Sequence, residues 1–190
     1  MRFVTFSIEM KKRVFVAIDI PQEIRRELKK IQDTLPEFKG KKTEPYNLHL
    51  TLKFLGEVAS DTIEKVKGEL GKIKFKSFDV EINKIGFFDN RASRIYDNKL
   101  IVWIFLTNCE ELQQKIDSSL EGLFKPERRF MSHLTLARVK NVKDKDKFLK
   151  ELEKIKLKNI TFMVNEFKLK KSTLTEHGSV YEDLEVYSLG

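Results

Sequence analysis

The tetrapeptide His-Leu-Thr-Leu occurs twice in this chain, at residues 49–52 and again 84 positions later at residues 133–136. Each copy lies in the third element of a repeated order of predicted strand, helix, strand, helix and strand. The first pass covers about residues 14–87 and the second about residues 100–169. Two similar halves in one chain most simply form two lobes that face each other, so the sequence predicts a bilobal, pseudo-duplicated α/β (α+β) fold.

Hydrophobic periodicity places the predicted elements within this order. Alternating apolar and polar side chains indicate strands, as in the run LHLTLKFL, and apolar residues three and four apart indicate helices. The predicted strands are Val14–Ile20, Leu48–Leu55, Phe78–Phe87, Leu100–Leu106, Ser132–Val139, Ile160–Leu169 and Val180–Tyr187, with a hairpin from Ile95-Tyr96 that turns at Asp97-Asn98. The predicted helices carry the stripe Ile24, Leu28, Ile31 and Leu35, the run Ser60–Leu70, the stripe Leu112, Ile116, Leu120 and Leu123, and the run Asp144–Ile155.

Composition excludes several classes of protein. A hydrophobic fraction of 41% is enough for a core and too much for a disordered chain. The longest apolar run, Leu100–Leu106, is far shorter than the roughly 20 residues that cross a bilayer, so we expect no membrane association. Lys and Arg outnumber Asp and Glu by 37 to 29, and the net charge of +8 favours a polyanionic partner.

Cysteine content and the N-terminus indicate the compartment. Cys109 is the one cysteine, which excludes an intramolecular disulfide framework. The first residues have no sustained apolar stretch of the kind that a secretory signal requires. We therefore expect a reduced, cytoplasmic protein with one bilobal domain over residues 1–190, in which residues 1–11 form an N-terminal extension.

Each tetrapeptide places an imidazole beside a hydroxyl. Residues two apart in a strand share a face, so His49 and Thr51 project together, as do His133 and Thr135. A single His-x-Thr is most often a half-buried strand histidine with a local hydrogen bond. The duplication in matched contexts favours a functional pair. His177, in a Glu-His-Gly turn, is expected to be a bystander.

Two histidines on facing walls suit phosphate-ester chemistry. An unperturbed imidazole titrates near pH 6.5, so a neutral ring can take a proton from water while a charged ring gives one to the leaving oxygen. In-line displacement places these oxygens on opposite sides of phosphorus, and two lobes supply opposite walls. The threonine hydroxyls, Thr51 and Thr135, can then donate to the non-bridging oxygens.

Metal binding is the competing use of two histidines. Catalytic zinc usually takes three protein ligands, and neither tetrapeptide has a further ligand at local spacing. Glu57 could be added only by the fold. We therefore expect no metal and no cofactor. The absence of a G-x-S-x-G sequence also disfavours the usual serine triad.

The sequence around these motifs resembles the two-histidine phosphoesterase superfamily, and within it the RNA 2′,3′-cyclic phosphodiesterases, also called 2′-5′ RNA ligases. The resemblance covers nearly all of Arg13 to Leu189. It rests on Arg13–Pro21, Asn47–Val58, Phe130–Val139 and the C-terminal Ser172–Thr175 with Gly178 and Tyr181. It implies a cleft between two mainly antiparallel sheets flanked by helices.

The resemblance also implies an activity and a site. The reaction is hydrolysis of an RNA 3′-terminal 2′,3′-cyclic phosphate to a 2′-phosphate, with reversible 2′-5′ ligation as a second reaction. His49 would be the general acid that protonates O3′, and His133 the general base that activates water. Arg138 matches a phosphate-binding arginine, although strand alternation places it opposite His133 unless a bulge or strand end intervenes. Ser132 stands where the family commonly has proline, and we expect only a local effect.

The expected partners are RNA 3′ ends or oligonucleotides with cyclic phosphate termini, bound by a monomer that needs no protein partner. Two lysine runs, Lys39 with Lys41 and Lys42 and Lys168 with Lys170 and Lys171, are either solvated faces or contacts to RNA phosphates. Aromatic residues could stack on the terminal base. The candidates are Tyr46, Phe54 and Phe130. Alternative functions are an RNA-binding clamp, or a phosphodiesterase acting on small cyclic nucleotides or 2′-5′ oligonucleotides.

Overall fold

The computed structural model describes residues 11–89, 100–176 and 178–190. These ranges contain nine strands and four helices. The strands are β1 (Lys12–Asp19), β2 (Lys39–Lys42), β3 (His49–Val58), β4 (Phe78–Asp89), β5 (Leu100–Leu106), β6 (His133–Asn141), β7 (Ile160–Val164), β8 (Glu166–Thr175) and β9 (Gly178–Ser188). The helices are α1 (Gln22–Asp33), α2 (Ser60–Gly71), α3 (Glu110–Ser119) and α4 (Lys145–Glu153), and a 3₁₀ turn, Pro45–Asn47, precedes β3.

The strands form two sheets whose neighbouring strands are all antiparallel. The first sheet has the order β3-β1-β8-β9, and the second has the order β2-β6-β5-β4-β7. The two motif strands, β3 and β6, belong to different sheets and contact each other. The predicted fold of two mainly antiparallel sheets flanked by helices is therefore confirmed.

The two sheets exchange elements along the chain. Strand β4 belongs to the first sequence pass but lies in the second sheet, and β8 lies in the first sheet, between β1 and β9. The helices are exchanged in the same way, because α1 packs against β6 and α3 packs against β3. Each sheet is therefore completed by residues that are distant in sequence.

One continuous core lies behind the motif strands. Leu50, Leu52, Leu134 and Leu136 are buried in it, as the alternation of the tetrapeptides predicts. Lys53 is also buried, and it donates hydrogen bonds to the Asp117 carboxylate of α3 and to the Lys125 carbonyl. The backs of the motif strands are thus fixed by apolar packing and by a buried ion pair.

Several predicted elements differ from the structure. The predicted strand Ile160–Leu169 is two strands that separate at Asn165 and enter different sheets. Strand β2 was not predicted, because its sequence KGKK has no apolar alternation and all four residues are exposed. Leu35 and Leu123 lie beyond the ends of their helices, and Leu123 is exposed.

Some predictions concern residues that the structure does not describe. The hairpin at Ile95-Tyr96 and Asp97-Asn98, residues 1–10 of the N-terminal extension and His177 all lie outside the described residues. Among the helices of the described ranges, none has both the length and the apolar character needed to span a membrane.

Candidate active site

Each motif histidine is fixed through Nδ1 by a backbone carbonyl two residues earlier. Nδ1 of His49 donates to the Asn47 carbonyl at 2.7 Å, and Nδ1 of His133 donates to the Met131 carbonyl at 2.8 Å. A carbonyl oxygen can only accept, so Nδ1 carries the proton in both rings. Nε2 is then an acceptor in the neutral ring and a donor in the cation, and this is the atom left for chemistry.

A one-residue bulge follows the threonine in both motif strands. The register shifts at Leu52 in β3 and at Leu136 in β6. Each bulge reverses the alternation of faces beyond it. Arg138 therefore lies on the same face as His133, and it is exposed while both its neighbours are buried. The bulge that a phosphate-binding role for Arg138 requires is present.

The pKa of both histidines lies below the ordinary value. For His49 the largest cause is burial, opposed by the hydrogen bond to Asn47 and by the Asp19 carboxylate. For His133 the largest cause is again burial, opposed by the hydrogen bond to Met131. The positive charge of Arg138 lowers the pKa of both rings, so it acts on both motifs.

Aromatic rings hold both imidazoles. His49 contacts both Phe15 and Tyr181, with ring centroids 5.0 and 4.9 Å away, and these two rings also contact each other. His133 packs nearly perpendicular to the Phe88 ring, with the two centroids 5.0 Å apart. These contacts limit the orientations that each imidazole can adopt.

In the second sheet, the Phe88 ring that contacts His133 is itself supported by Trp103, whose ring lies over Gly86. Phe88 contacts the Trp103 ring, with centroids 5.3 Å apart. A Cβ atom on Gly86 would lie 2.4 Å from the Trp103 ring. Trp103 is itself the register partner of Thr135. Glycine at position 86 therefore makes room for the ring that lies beside the second motif.

A charged quartet, consisting of Asp19, Lys168, Lys170 and Asp183, lies beside His49. Lys170 Nζ donates to the two Asp19 carboxylate oxygens at 2.9 and 3.0 Å, and it also donates to Asp183. Lys168 Nζ lies 3.1 Å from Asp19 and 3.0 Å from Asp183. Burial alone would lower the pKa of Lys168, but its hydrogen bonds to the two carboxylates raise it.

Sequence reasoning missed this quartet. It interpreted Lys168 and Lys170 as members of a basic run and assigned no role to Asp19. The available signal was the alternation of the two lysines within an apolar strand, which places both on one face. Asp19 and Lys170 are 151 residues apart in the sequence, so no local pattern could reveal the pairing.

A cavity of about 240 Å³ opens beside His49. Tyr46 lines it and is 68% exposed. Phe54, on the other side of Thr51 along β3, is also 68% exposed, whereas Phe130 is half-buried. The other residues that line the cavity are Asp19, Asn47, Lys170, Val180 and Tyr181.

The other predicted residues of the two motifs lie close to the histidines in the sequence. Thr51 and Thr135 are half-buried beside their histidines, as alternation predicts. Ser132 is fully buried, and its carbonyl accepts a hydrogen bond from the Leu106 amide. Over the described ranges, no group of three or more His, Cys, Asp or Glu side chains is arranged to hold a metal ion.

Comparisons with known proteins give consistent matches. The sequence model of a family described as LigT-like phosphoesterase matches residues 18–96 and 106–181. A Methanothermobacter thermautotrophicus protein named RNA 2′,3′-cyclic phosphodiesterase is 34% identical, over 95% of this chain and 100% of the relative. A Methanocaldococcus jannaschii protein of the same name is 36% identical, over 90% of this chain and 96% of the relative.

Solved structures match the fold over nearly the whole chain. Escherichia coli LigT complexed with phosphate has a TM-score of 0.72 and 24% identity, and the match covers 95% of this chain and 98% of LigT. A Thermus thermophilus protein has a TM-score of 0.76 and 25% identity, and the match covers 93% of this chain and 97% of that protein.

Proposed function

The chain belongs to the family of LigT-like phosphoesterases, and we propose that it hydrolyses the 2′,3′-cyclic phosphate at an RNA 3′ end to a 2′-phosphate. The observation that carries the proposal is the pair of imidazoles on contacting strands of the two sheets, each with Nδ1 hydrogen-bonded to a carbonyl and Nε2 left for proton transfer. Relatives that share about a third of the sequence bear the name of this activity.

The proposed reaction needs one base and one acid. Neutral His133 takes a proton from water at Nε2 while the water oxygen attacks phosphorus. The bond from phosphorus to O3′ breaks, and protonated His49 gives its Nε2 proton to the departing O3′. The products are a 2′-phosphate and a 3′-hydroxyl. His133 leaves the step protonated and His49 leaves it neutral, and exchange with solvent restores both.

The other motif residues stabilise the charge that develops on phosphorus. The hydroxyls of Thr51 and Thr135 donate to non-bridging oxygens from the two sides. Arg138, brought onto the face of His133 by the bulge, supplies the positive charge. In this mechanism the side chains carry the whole reaction, with no metal or cofactor.

The direction of displacement orients the nucleotide. Because His49 protonates a ribose oxygen, the terminal nucleoside lies against the first sheet and the attacking water lies against the second. Tyr46 lines the cavity beside His49, Phe54 lies further along the strand of His49, and both are exposed, so they are the candidates to stack on the terminal base. When a 5′-hydroxyl replaces water beside His133, the same displacement of O3′ joins the two strands through a 2′-5′ phosphodiester, and this is the ligation reaction.

The basic edge of the second sheet is suited to contact the phosphates of an RNA chain. Lys41 is the register partner of Arg138, so both side chains lie on one face of neighbouring strands. Lys39 is exposed on the same edge strand. With both motifs on one chain, a monomer is sufficient, and we expect it to act in the cytoplasm.

The test is hydrolysis of an oligoribonucleotide that ends in a 2′,3′-cyclic phosphate, with EDTA present. Wild-type protein is compared with His49→Ala and His133→Ala, and the position of the product phosphate is assigned. We expect EDTA-resistant formation of the 2′-phosphate that both substitutions abolish. Salt-sensitive RNA binding without turnover would instead favour the clamp. Faster turnover of a cyclic mononucleotide would favour the small-substrate alternative.

A further inference from the structure

The two histidines have different neighbours at equivalent places in their sheets. Asp19 of β1 is the register partner of His49, and Phe105 of β5 is the register partner of His133. Register partners on antiparallel strands have Cβ atoms about 4.5–5.5 Å apart on one face. The first imidazole therefore lies beside a carboxylate, and the second lies beside an uncharged ring.

The asymmetry continues one strand further into each sheet. Lys168 lies beside Ala17, the partner of Thr51, whereas Gly86 lies beside Trp103, the partner of Thr135. In the second sheet, the large Trp103 ring lies over Gly86 and fills the space. In the first sheet, the small Ala17 leaves room for the long charged side chain of Lys168.

The fold does not require charge at these positions. Apolar residues fill the equivalent places in the second sheet, and replacing a buried ion pair with packed apolar residues is often neutral or stabilising. Lys170 of the charged quartet is nevertheless buried, with only 6% of its surface exposed, and Lys168 is half-buried. Burying charged side chains costs free energy, and only the first sheet has them at these positions, which points to a role in the reaction.

We propose that Asp19, held in place by Lys168 and Lys170, is a positioning residue that keeps His49 the proton donor of the pair. This inference rests on the proposed function, since it concerns the division of roles between the two histidines. The carboxylate favours the charged imidazole beside it. His133, beside Phe105, has an uncharged register partner and is left to act as the base.

The charges that face His49 come from three elements. Asp19 of β1 favours the protonated ring, while Lys170 of β8 and Arg138 of β6 oppose it. Asp183 of β9 pairs with Lys168 and Lys170, and it acts on the ring indirectly through these two lysines. Phe15 and Tyr181 contact the ring as aromatic partners. Removing Asp19 and removing Lys170 should therefore have opposite effects on His49.

The experiment compares Asp19→Asn, Lys170→Met and a control, Glu151→Gln, on the exposed face of α4. The pH dependence of kcat/KM is measured for each, and the imidazole of His49 is titrated by NMR. We expect Asp19→Asn to move the alkaline limb to lower pH and Lys170→Met to move it to higher pH. Moving the limb by one pH unit changes activity on it tenfold. The control should match wild type.

Opposite movements cannot arise from a general loss of stability, because destabilisation would lower both profiles without moving the limb in two directions. A His49 titration that stays unchanged in both folded variants, or that moves in the same direction in both, overturns the inference. If Asp19→Asn fails to fold, the movement of the His49 titration to higher pH that we expect in Lys170→Met still tests the inference. Absence of turnover by wild type would count against the proposed function alone, because the NMR titration needs no substrate.

Discussion

Arg138 occupies the place on β6 that Phe54 occupies on β3. Each lies three residues beyond the motif threonine, each follows a one-residue bulge, and each is exposed on the face of its histidine. The same backbone device thus presents a guanidinium from one sheet and an aromatic ring from the other. Substituting Arg138 and substituting Phe54 should therefore change the kinetics in different ways.

For Arg138→Met we expect kcat to fall by about 10²- to 10³-fold, the loss typical of removing one stabiliser of transition-state charge. Because the guanidinium lowers the pKa of both histidines, the whole pH profile should also move to higher pH. The measurement is kcat/KM against pH on the cyclic-phosphate oligonucleotide. Phe54→Leu is the matched comparison, with a raised KM and an unmoved profile. An unmoved profile in Arg138→Met would contradict this account of its charge.

The pH profile of the wild-type enzyme follows from burial of the two rings. The base must be neutral and the acid must be protonated, so activity rises through one pKa and falls through the other. Both values lie below the ordinary histidine value of about 6.5, because desolvation disfavours the cation. We expect a bell with its maximum on the acidic side of neutrality, measured at constant ionic strength. A plateau that extends well above neutral pH would argue against it.

Gly86→Ala tests the packing beneath the second motif. The new Cβ atom would lie 2.4 Å from the Trp103 ring, so the ring must shift beside Thr135. Overpacking of this kind costs about 1–3 kcal/mol, and we expect lower kcat as well as a lower free energy of unfolding in urea. Gly68→Ala in α2 is the control, since nothing lies within 4 Å of that position. It should stabilise the helix by about 0.5–1 kcal/mol and leave activity unchanged. Equal effects of the two substitutions would show that packing at Trp103 does not matter.

Lys41→Gln tests the basic edge beside Arg138. If this lysine contacts an RNA phosphate, the substitution raises KM for an oligonucleotide and reduces the salt dependence of binding by about 0.7 in the logarithmic slope. Turnover of a 2′,3′-cyclic mononucleotide, which lacks upstream phosphates, should be unaffected. Lys72→Gln, at the far end of α2, serves as the control. The same loss on both substrates would place Lys41 at the reacting phosphate instead.

The motif strands were the most predictable part of the fold. Alternation around His49 and His133 specified both strands and the side that faces the core, because each strand has one buried and one accessible face. The helix Ser60–Gly71 was equally clear from its buried stripe. These elements depend on local periodicity, which a single sequence displays directly.

The features that the sequence alone could not establish depend on contacts between distant residues. A bulge at Leu136 arises from pairing with β5, so alternation within β6 alone places Arg138 on the wrong face. At Asn165 the chain passes from β7 in one sheet to β8 in the other, and a single apolar run in the sequence does not indicate such a change of sheet. The pairing of Asp19 with Lys170 is invisible for the same reason.

The position of β8 between β1 and β9 affects how the protein is made. Arg13 pairs with Ser172, so the ribosome must synthesise the chain through β8 before the sheet of His49 can be completed. Until then β1 and β3 can form only a two-stranded ribbon, which is marginally stable in water at best. Lys168 and Lys170 arrive on the same late strand. We therefore expect a nascent chain that already carries both histidines to remain inactive until β8 has been synthesised.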